Sequence, residues 1–93
     1  NTFEQLPHKV WCIRDNVEIE TPLDEVHVND IVVVTIGLVI PIDGIIIEGS
    51  AMIDQHALTG ESQPAEKSIG EKVFATTVVI SGKILVKTRN HRC

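Results

Sequence analysis

The apolar residues of this chain fall in short runs separated by Gly, Pro, Asn and Asp, and no sustained 3.6-residue period joins them. β-branched residues dominate the runs, which predicts strands rather than helices. Lys9–Arg14 (KVWCIR) is the first. Asp15-Asn16 then makes a plausible two-residue turn, since both tolerate positive φ. Val17 and Ile19 alternate with Glu18 and Glu20, the period-2 sign of a half-buried return strand, which Pro22 ends. Leu23, Val26 and Val28 suit an irregular segment tucked against the core, and Asn29-Asp30 is a further turn. Ile31–Ile36 is nearly continuous in apolar character, as expected of a strand covered on both faces. Pro41–Gly44 marks a turn, and Ile45–Glu48 is the next strand, closed by Gly49. Asp54 can cap a short helical turn over Gln55–Leu58, because its carboxylate can accept amides left free there. Thr59–Glu66 is polar and turn-like, and Ser68-Ile69-Gly70 is another turn. Val73–Ala75 and Thr77–Ile80 are strand-like, Ser81-Gly82 turns the chain, and Lys83–Thr88 closes the series with Ile84 and Val86 inward. Many short strands with frequent turns predict a mainly β, compact, distorted jelly-roll or β-sandwich-like single domain with at most short helical turns.

Length agrees with one domain: 93 residues form a unit that buries roughly 60–65% of its unfolded surface. The most apolar stretch, Ile31–Ile47, approaches the length of a membrane span, but Gly37, Pro41, Asp43 and Gly44 interrupt it. It reads instead as two buried strands around a turn, in a soluble fragment. No N-terminal stretch resembles a secretory signal. Cys12 and Cys93 lie far apart, so a reducing setting is expected rather than a disulfide scaffold.

Charge narrows the function. The net charge is −5, whereas a nucleic-acid binder needs a basic face to displace counterions from phosphates. Aromatic residues, the stacking platforms for single strands, make up only 3%. Charge is also uneven. Residues 83–93 hold Lys83, Lys87, Arg89 and Arg92 with no acid, leaving −9 on residues 1–82, where four bases face thirteen acids. The basic end is either a solvated strand face or a surface-facing attachment.

Most polar residues are explained as turns, Asp15, Asn16, Asn29, Asp30 and Asp43 among them. Neither GxxxxGK[ST] nor GxGxxG is present, and Ser62 lacks the glycines of a nucleophile elbow. The four histidines (His8, His27, His56, His91) show no ligand spacing; His91 and Cys93 read as incidental terminal residues. The absence of Cys-x-x-Cys argues against a metal chaperone. What stands out is Asp54–Lys67, DQHALTGESQPAEK. There Gly60 permits close backbone approach and Glu61 offers a carboxylate beside it; by itself the segment is compatible with a plain turn or with a positioned base.

Its context is more specific. Asp30-Ile31-Val32-Val33-Val34, then Pro41-Ile42-Asp43-Gly44, then Asp54, Leu58-Thr59-Gly60-Glu61-Ser62, Pro64 and Lys67, then Gly70, Val73, Ala75 and Thr77 follow one another in order. In this the chain resembles the actuator domain of P-type ATPases over about residues 9–88. The short interval from Lys67 to Gly70 makes the heavy-metal branch the most similar. The chain departs from the family pattern at Asn29, Ile36, Leu38-Val39, Thr76 and Val79, which lie at turns and near the motif loop.

The resemblance implies a cytoplasmic domain of an integral membrane pump, spanning residues 1–93 and tethered to membrane helices at both ends. The basic end would then match the positive charge of cytoplasmic loops. It implies that Glu61 positions and activates water for hydrolysis of an aspartyl-phosphate, with Thr59, Gly60 and Ser62 shaping the loop and Glu61 exposed until docking. The phosphorylation and nucleotide-binding domains of the same chain would be the partners. ATP, Mg2+ and the transported cation would be bound elsewhere, with no cofactor or metal ligand in this domain, and the isolated domain would hydrolyse nothing. The alternative is a non-catalytic β-module that mediates protein interaction through its acidic face.

Overall fold

In a computed structural model of the protein, which describes residues 7–89, seven antiparallel strands form one continuous sheet. They are β1 (Lys9–Arg14), β2 (Val17–Pro22), β3 (Ile31–Thr35), β4 (Gly44–Asp54), β5 (Ala65–Lys67), β6 (Lys72–Val73) and β7 (Val78–Thr88). Their spatial order is β2-β1-β3-β7-β4-β5, with β6 also on β4. One 3-10 turn (Leu23–Glu25) and one four-residue helix, α1 (His56–Thr59), complete the mainly β architecture.

The first hairpin forms as the turn chemistry dictates. Asp15 and Asn16 sit at φ 54° and 64°, the mirror-image turn whose twist suits paired strands. Arg14 then pairs Val17, and Lys9 pairs Pro22. The expected half-burial of β2 does not follow. Val17 and Ile19 are exposed and only Thr21 is buried, because β2 is the edge of the sheet and none of the described residues covers its inner face there. Alternation reports a two-faced strand, not what lies over either face. β3 is buried through Val32–Val34, between β1 and β7, but it ends at Thr35: Ile36, expected inside the covered strand, lies in the following turn and is exposed.

β4 and β7 are each eleven residues long and pair along their whole length. Two sequence-based expectations are corrected here. Gly49 does not close a strand and Ser81-Gly82 does not turn the chain: β4 and β7 run straight through them. Gly49 and Gly82 take φ of 86° and 93°. A Cβ at either would overlap the backbone of the other strand, at Lys83 and Ser50 respectively. These glycines permit a close crossing and a bend within a strand. Each strand also carries one extra residue, Ile47 in β4 and Ile80 in β7, where the pairing register shifts. An extra residue reverses the inward–outward phase. The core positions accordingly change from Ile46 to Ala51 and Ile53 in β4, and from Val79 to Ile84 and Val86 in β7. Ile47 and Ile80 are left facing out.

The bent sheet encloses a core of Val10, Cys12, Val32, Val34, Ile40, Ile46, Ala51, Ile53, Val73, Val79, Ile84 and Val86, with Leu23 and Val26 packed at its margin. Val28 is exposed rather than tucked in. Two connections close the curl. The Ile40 N–H donates to the Thr77 carbonyl at 2.7 Å, and the Thr76 N–H donates to the Ile40 carbonyl at 2.9 Å. The expected strand over Val73–Ala75 is therefore shorter. It ends at Val73, and Phe74–Thr77 becomes a turn with Thr76 at φ 76°. Conversely, Ala65-Glu66, expected in a polar turn, begins β5 on the edge of β4. Cys12 is a buried free thiol, while His91, Arg92 and Cys93 lie outside the described residues.

Candidate functional site

The segment singled out by sequence leaves the sheet where β4 ends. Asp54 is the last rung of the β4–β7 ladder, opposite Val78. Its Oδ1 accepts the His56 N–H, two residues on, at 2.9 Å as expected. The helix, however, runs from His56 to Thr59 rather than from Gln55, so the N-cap position falls to Gln55, whose side chain makes no capping bond, and Asp54 braces the turn from one residue further back. The Gln55 carbonyl gathers three donors: the N–H groups of Leu58 and Thr59, both at 2.9 Å, and the Thr59 hydroxyl at 3.2 Å. No residue type in the sequence signals this, because the acceptor is main chain.

Gly60 ends α1 in the left-handed conformation at φ 79°, and its N–H donates to the His56 carbonyl at 2.8 Å. The space around Gly60 is open, so glycine is required there by backbone conformation alone. Thr59 Oγ1 then accepts the Glu61 N–H at 3.1 Å. One hydroxyl thus joins the first and last residues of the turn, donating to Gln55 and accepting from Glu61. Thr59, Gly60 and Glu61 are brought together as one hydrogen-bonded unit. Ser62 follows, exposed, and is not among these bonds.

Residues 56–64 are exposed throughout, and α1 buries none of its residues. The site is a projecting finger rather than a pocket. A cavity of about 460 Å3 does open beside the last β1–β3 pair, floored by Val10, Val32 and Val34 under Leu38, but Glu61 is not among its lining residues. A carboxylate presented this way cannot exclude water or surround a substrate unaided. It can supply one proton acceptor, held at a fixed place on a rigid base, to a surface that docks on it.

The other expected blocks are structural: Asp43 and Gly44 lie at the end of the β4–β7 ladder opposite the finger, beside Thr88 and Arg89. Asp43 Oδ1 accepts the Ala75 N–H at 2.8 Å, joining the Pro41–Gly44 turn to the Phe74–Thr77 turn. Thr77 is buried, and its hydroxyl donates to the Phe74 carbonyl at 2.6 Å. Of the basic end, Lys83 lies 3.6 Å from Glu18 on the outer face of the sheet, and Lys87 is exposed nearby. Among the described residues no three His, Cys, Asp or Glu side chains converge as a metal site, and no helix is long and apolar enough to cross a membrane.

Residues 4–91 match the model of the P-type ATPase actuator domain family. The chain is 41% identical over 75 residues to a probable copper-exporting P-type ATPase of Archaeoglobus fulgidus, covering 81% of this chain and 9% of that protein. It is 44% identical over 78 residues to a copper-exporting P-type ATPase of Bacillus subtilis, covering 84% of this chain and 10% of that protein. Its fold superposes on the crystal structure of a zinc-transporting PIB-type ATPase in the E2.Pi state with a TM-score of 0.89 at 26% identity. That match covers 96% of this chain and 15% of the other. The chain thus spans about a tenth of the length of the curated relatives it matches.

Proposed function

This chain belongs to the P-type ATPase actuator domain family, and from that premise we propose that its Glu61 loop drives dephosphorylation in a heavy-metal-transporting pump. The chain forms one actuator unit with its core at about residues 9–88, on the cytoplasmic side of the membrane. Its partners are the phosphorylation and nucleotide-binding domains of the same polypeptide, and membrane helices continue from both ends. Its relatives include copper-exporting and zinc-transporting ATPases, and a heavy-metal cation is the corresponding cargo here.

The chemistry asked of this chain is a single proton transfer and its placement. Water attacks the phosphorus of the aspartyl-phosphate. The Glu61 carboxylate accepts the water proton as the new P–O bond forms, and the bond to the aspartyl oxygen breaks, giving inorganic phosphate and a free aspartate carboxylate. A carboxylate suits this step because, ionised, it is purely an acceptor. Gly60 leaves the backbone bare for close approach, and Thr59 sets the direction in which Glu61 leaves the turn. ATP and Mg2+ belong to the partner domains, where Mg2+ would neutralise charge on the phosphoryl group.

The observation that carries this reading is the geometry of the loop: an exposed glutamate clipped through its own N–H to Thr59, beyond a left-handed glycine, at the end of the longest strand pair. The test is phosphoenzyme lifetime in the full-length pump after a pulse of labelled ATP. Glu61→Gln should still phosphorylate and should lose phosphate at least about tenfold more slowly, as expected for loss of a general base. Equal decay of the two proteins would return the chain to the class of non-catalytic β-modules.

A further inference from the structure

We propose that Asp54, outside the Thr-Gly-Glu-Ser tetrapeptide, is a positioning residue that sets the rate of dephosphorylation by holding Glu61 in place; this rests on the reading of Glu61 above. The argument starts from what the loop lacks. None of residues 56–64 is buried, and the one large apolar side chain among them, Leu58, is 49% exposed, so packing anchors them only weakly. A helix of four residues does not hold itself together, since nucleation costs more than one turn of hydrogen bonds returns. The order of the loop must therefore come from the few bonds that tie it to the sheet.

Those bonds form two short paths. In one, the Asp54 carboxylate takes the His56 N–H at 2.9 Å, and the His56 carbonyl takes the Gly60 N–H at 2.8 Å. In the other, the Gln55 carbonyl takes the Thr59 hydroxyl at 3.2 Å, and that hydroxyl takes the Glu61 N–H at 3.1 Å. The first path begins at a side chain whose own backbone is fixed in the sheet opposite Val78. It is also the charge-assisted one, an ionised carboxylate on a main-chain N–H. Without that acceptor the His56 N–H turns to water, α1 opens, and the fraction of time that Glu61 occupies its docking position falls. The chemical step slows by the same fraction, while binding of ATP and phosphorylation, which do not use this loop, proceed as before.

The experiment compares phosphoenzyme formation and decay in the full-length pump for wild type, Asp54→Ala, Asp54→Asn, Glu61→Gln and the double variant Asp54→Ala/Glu61→Gln. Asp54→Ala should lengthen the phosphoenzyme lifetime about three- to tenfold, the effect of one lost capping bond, with the formation rate unchanged. Asp54→Asn keeps an oxygen acceptor and should return the lifetime to within about twofold of wild type, as expected of equivalent capping residues. The double variant should decay no more slowly than Glu61→Gln alone, because Asp54 acts only through Glu61. If Glu61→Gln itself decays like wild type, the reading of Glu61 fails and this proposal falls with it. Three other results would overturn the proposal while leaving Glu61 standing. These are wild-type decay in Asp54→Ala, no rescue by Asn, or further slowing when Asp54→Ala is added to Glu61→Gln. Should Asp54→Ala not accumulate as folded pump, Asp54→Leu removes the same acceptor while keeping the bulk of the side chain. It should slow decay in the wild-type background and not in Glu61→Gln, and wild-type decay would overturn the proposal equally.

Discussion

Asp43 and Ala75, 32 residues apart in sequence, are joined by a 2.8 Å hydrogen bond from the Ala75 N–H to the Asp43 carboxylate. Turn chemistry alone explains an aspartate before a glycine. The structure gives this one a second duty, since the bond crosses between the two connections that close the sheet over Ile40, Val73 and Thr77. Asp43→Ala leaves the partly buried Ala75 N–H unpaired and should cost about 1–3 kcal/mol. In a chain of this size that is a fall in melting temperature of roughly 4 °C or more, readable by thermal circular dichroism.

Gly82 and Gly60 share a left-handed backbone but not their surroundings, which separates two kinds of damage. At Gly82 an added Cβ meets the Ser50 carbonyl, whereas at Gly60 it meets open space. Gly82→Ala should destabilise the fold by about 3 kcal/mol or more, the strain of the left-handed region adding to a backbone collision. Gly60→Ala should cost only about 1 kcal/mol, since the exposed turn can yield. Its larger effect should be on phosphoenzyme lifetime. Melting temperature and decay rate, measured on both variants, should rank them in opposite order.

Thr76 holds a positive φ of 76° that a β-branched residue adopts at a cost. Thr76→Gly relieves that cost, while the more flexible unfolded chain takes back part of the gain. The net outcome should be a stabilisation of about 0.5–1 kcal/mol, seen as a higher midpoint in urea with an unchanged slope. A lower midpoint would mean that the Thr76 side chain contributes packing worth more than its strain.

The Arg14–Asp30 ion pair, at 3.0 Å, is asymmetric in its consequences. Asp30 Oδ2 also accepts the His27 N–H at 2.8 Å, so it organises the turn into β3 as well as pairing with Arg14. Arg14→Ala should change stability by less than about 1 kcal/mol, as is usual for an exposed pair. Asp30→Ala should cost about 1–2 kcal/mol through the lost turn bond. Equal effects in denaturant unfolding would show that the ion pair alone matters.

Much of this was legible in the chain, and the failures share one cause. Asp15-Asn16, the buried Val32–Val34 run and the Asp54 bond to the amide two residues on are local decisions made by local residues, although the helix that follows Asp54 starts one residue later than the sequence puts it. Glycine is ambiguous: it reads as a stop at Gly49 and Gly82, yet serves there to let two backbones touch inside unbroken strands. The phase reversal at Ile47 and Ile80 depends on how β4 and β7 pair, which no single segment encodes. Ala65-Glu66 is polar because β5 lies on an edge, and polarity there resembles a loop. At the site, the motif identified Glu61 and its neighbours, but the Gln55 carbonyl and the two-way Thr59 hydroxyl are facts of three-dimensional geometry that residue types do not announce.

The length of β7 has a mechanical consequence. Its eleven residues could reach at most about 33 Å at ~3.3 Å per residue, comparable to the 37 Å long axis of the domain. One end, Thr88, is paired with Gly44; the other, Val78, is paired with Asp54 at the root of the Glu61 finger. β4 pairs with it along its whole length and β3 over Lys83–Lys87, so one continuous ladder joins the two ends through the crossing of Gly49 and Gly82. On the actuator reading, the finger and the Thr88 end would therefore move together, as two ends of one hydrogen-bonded ladder.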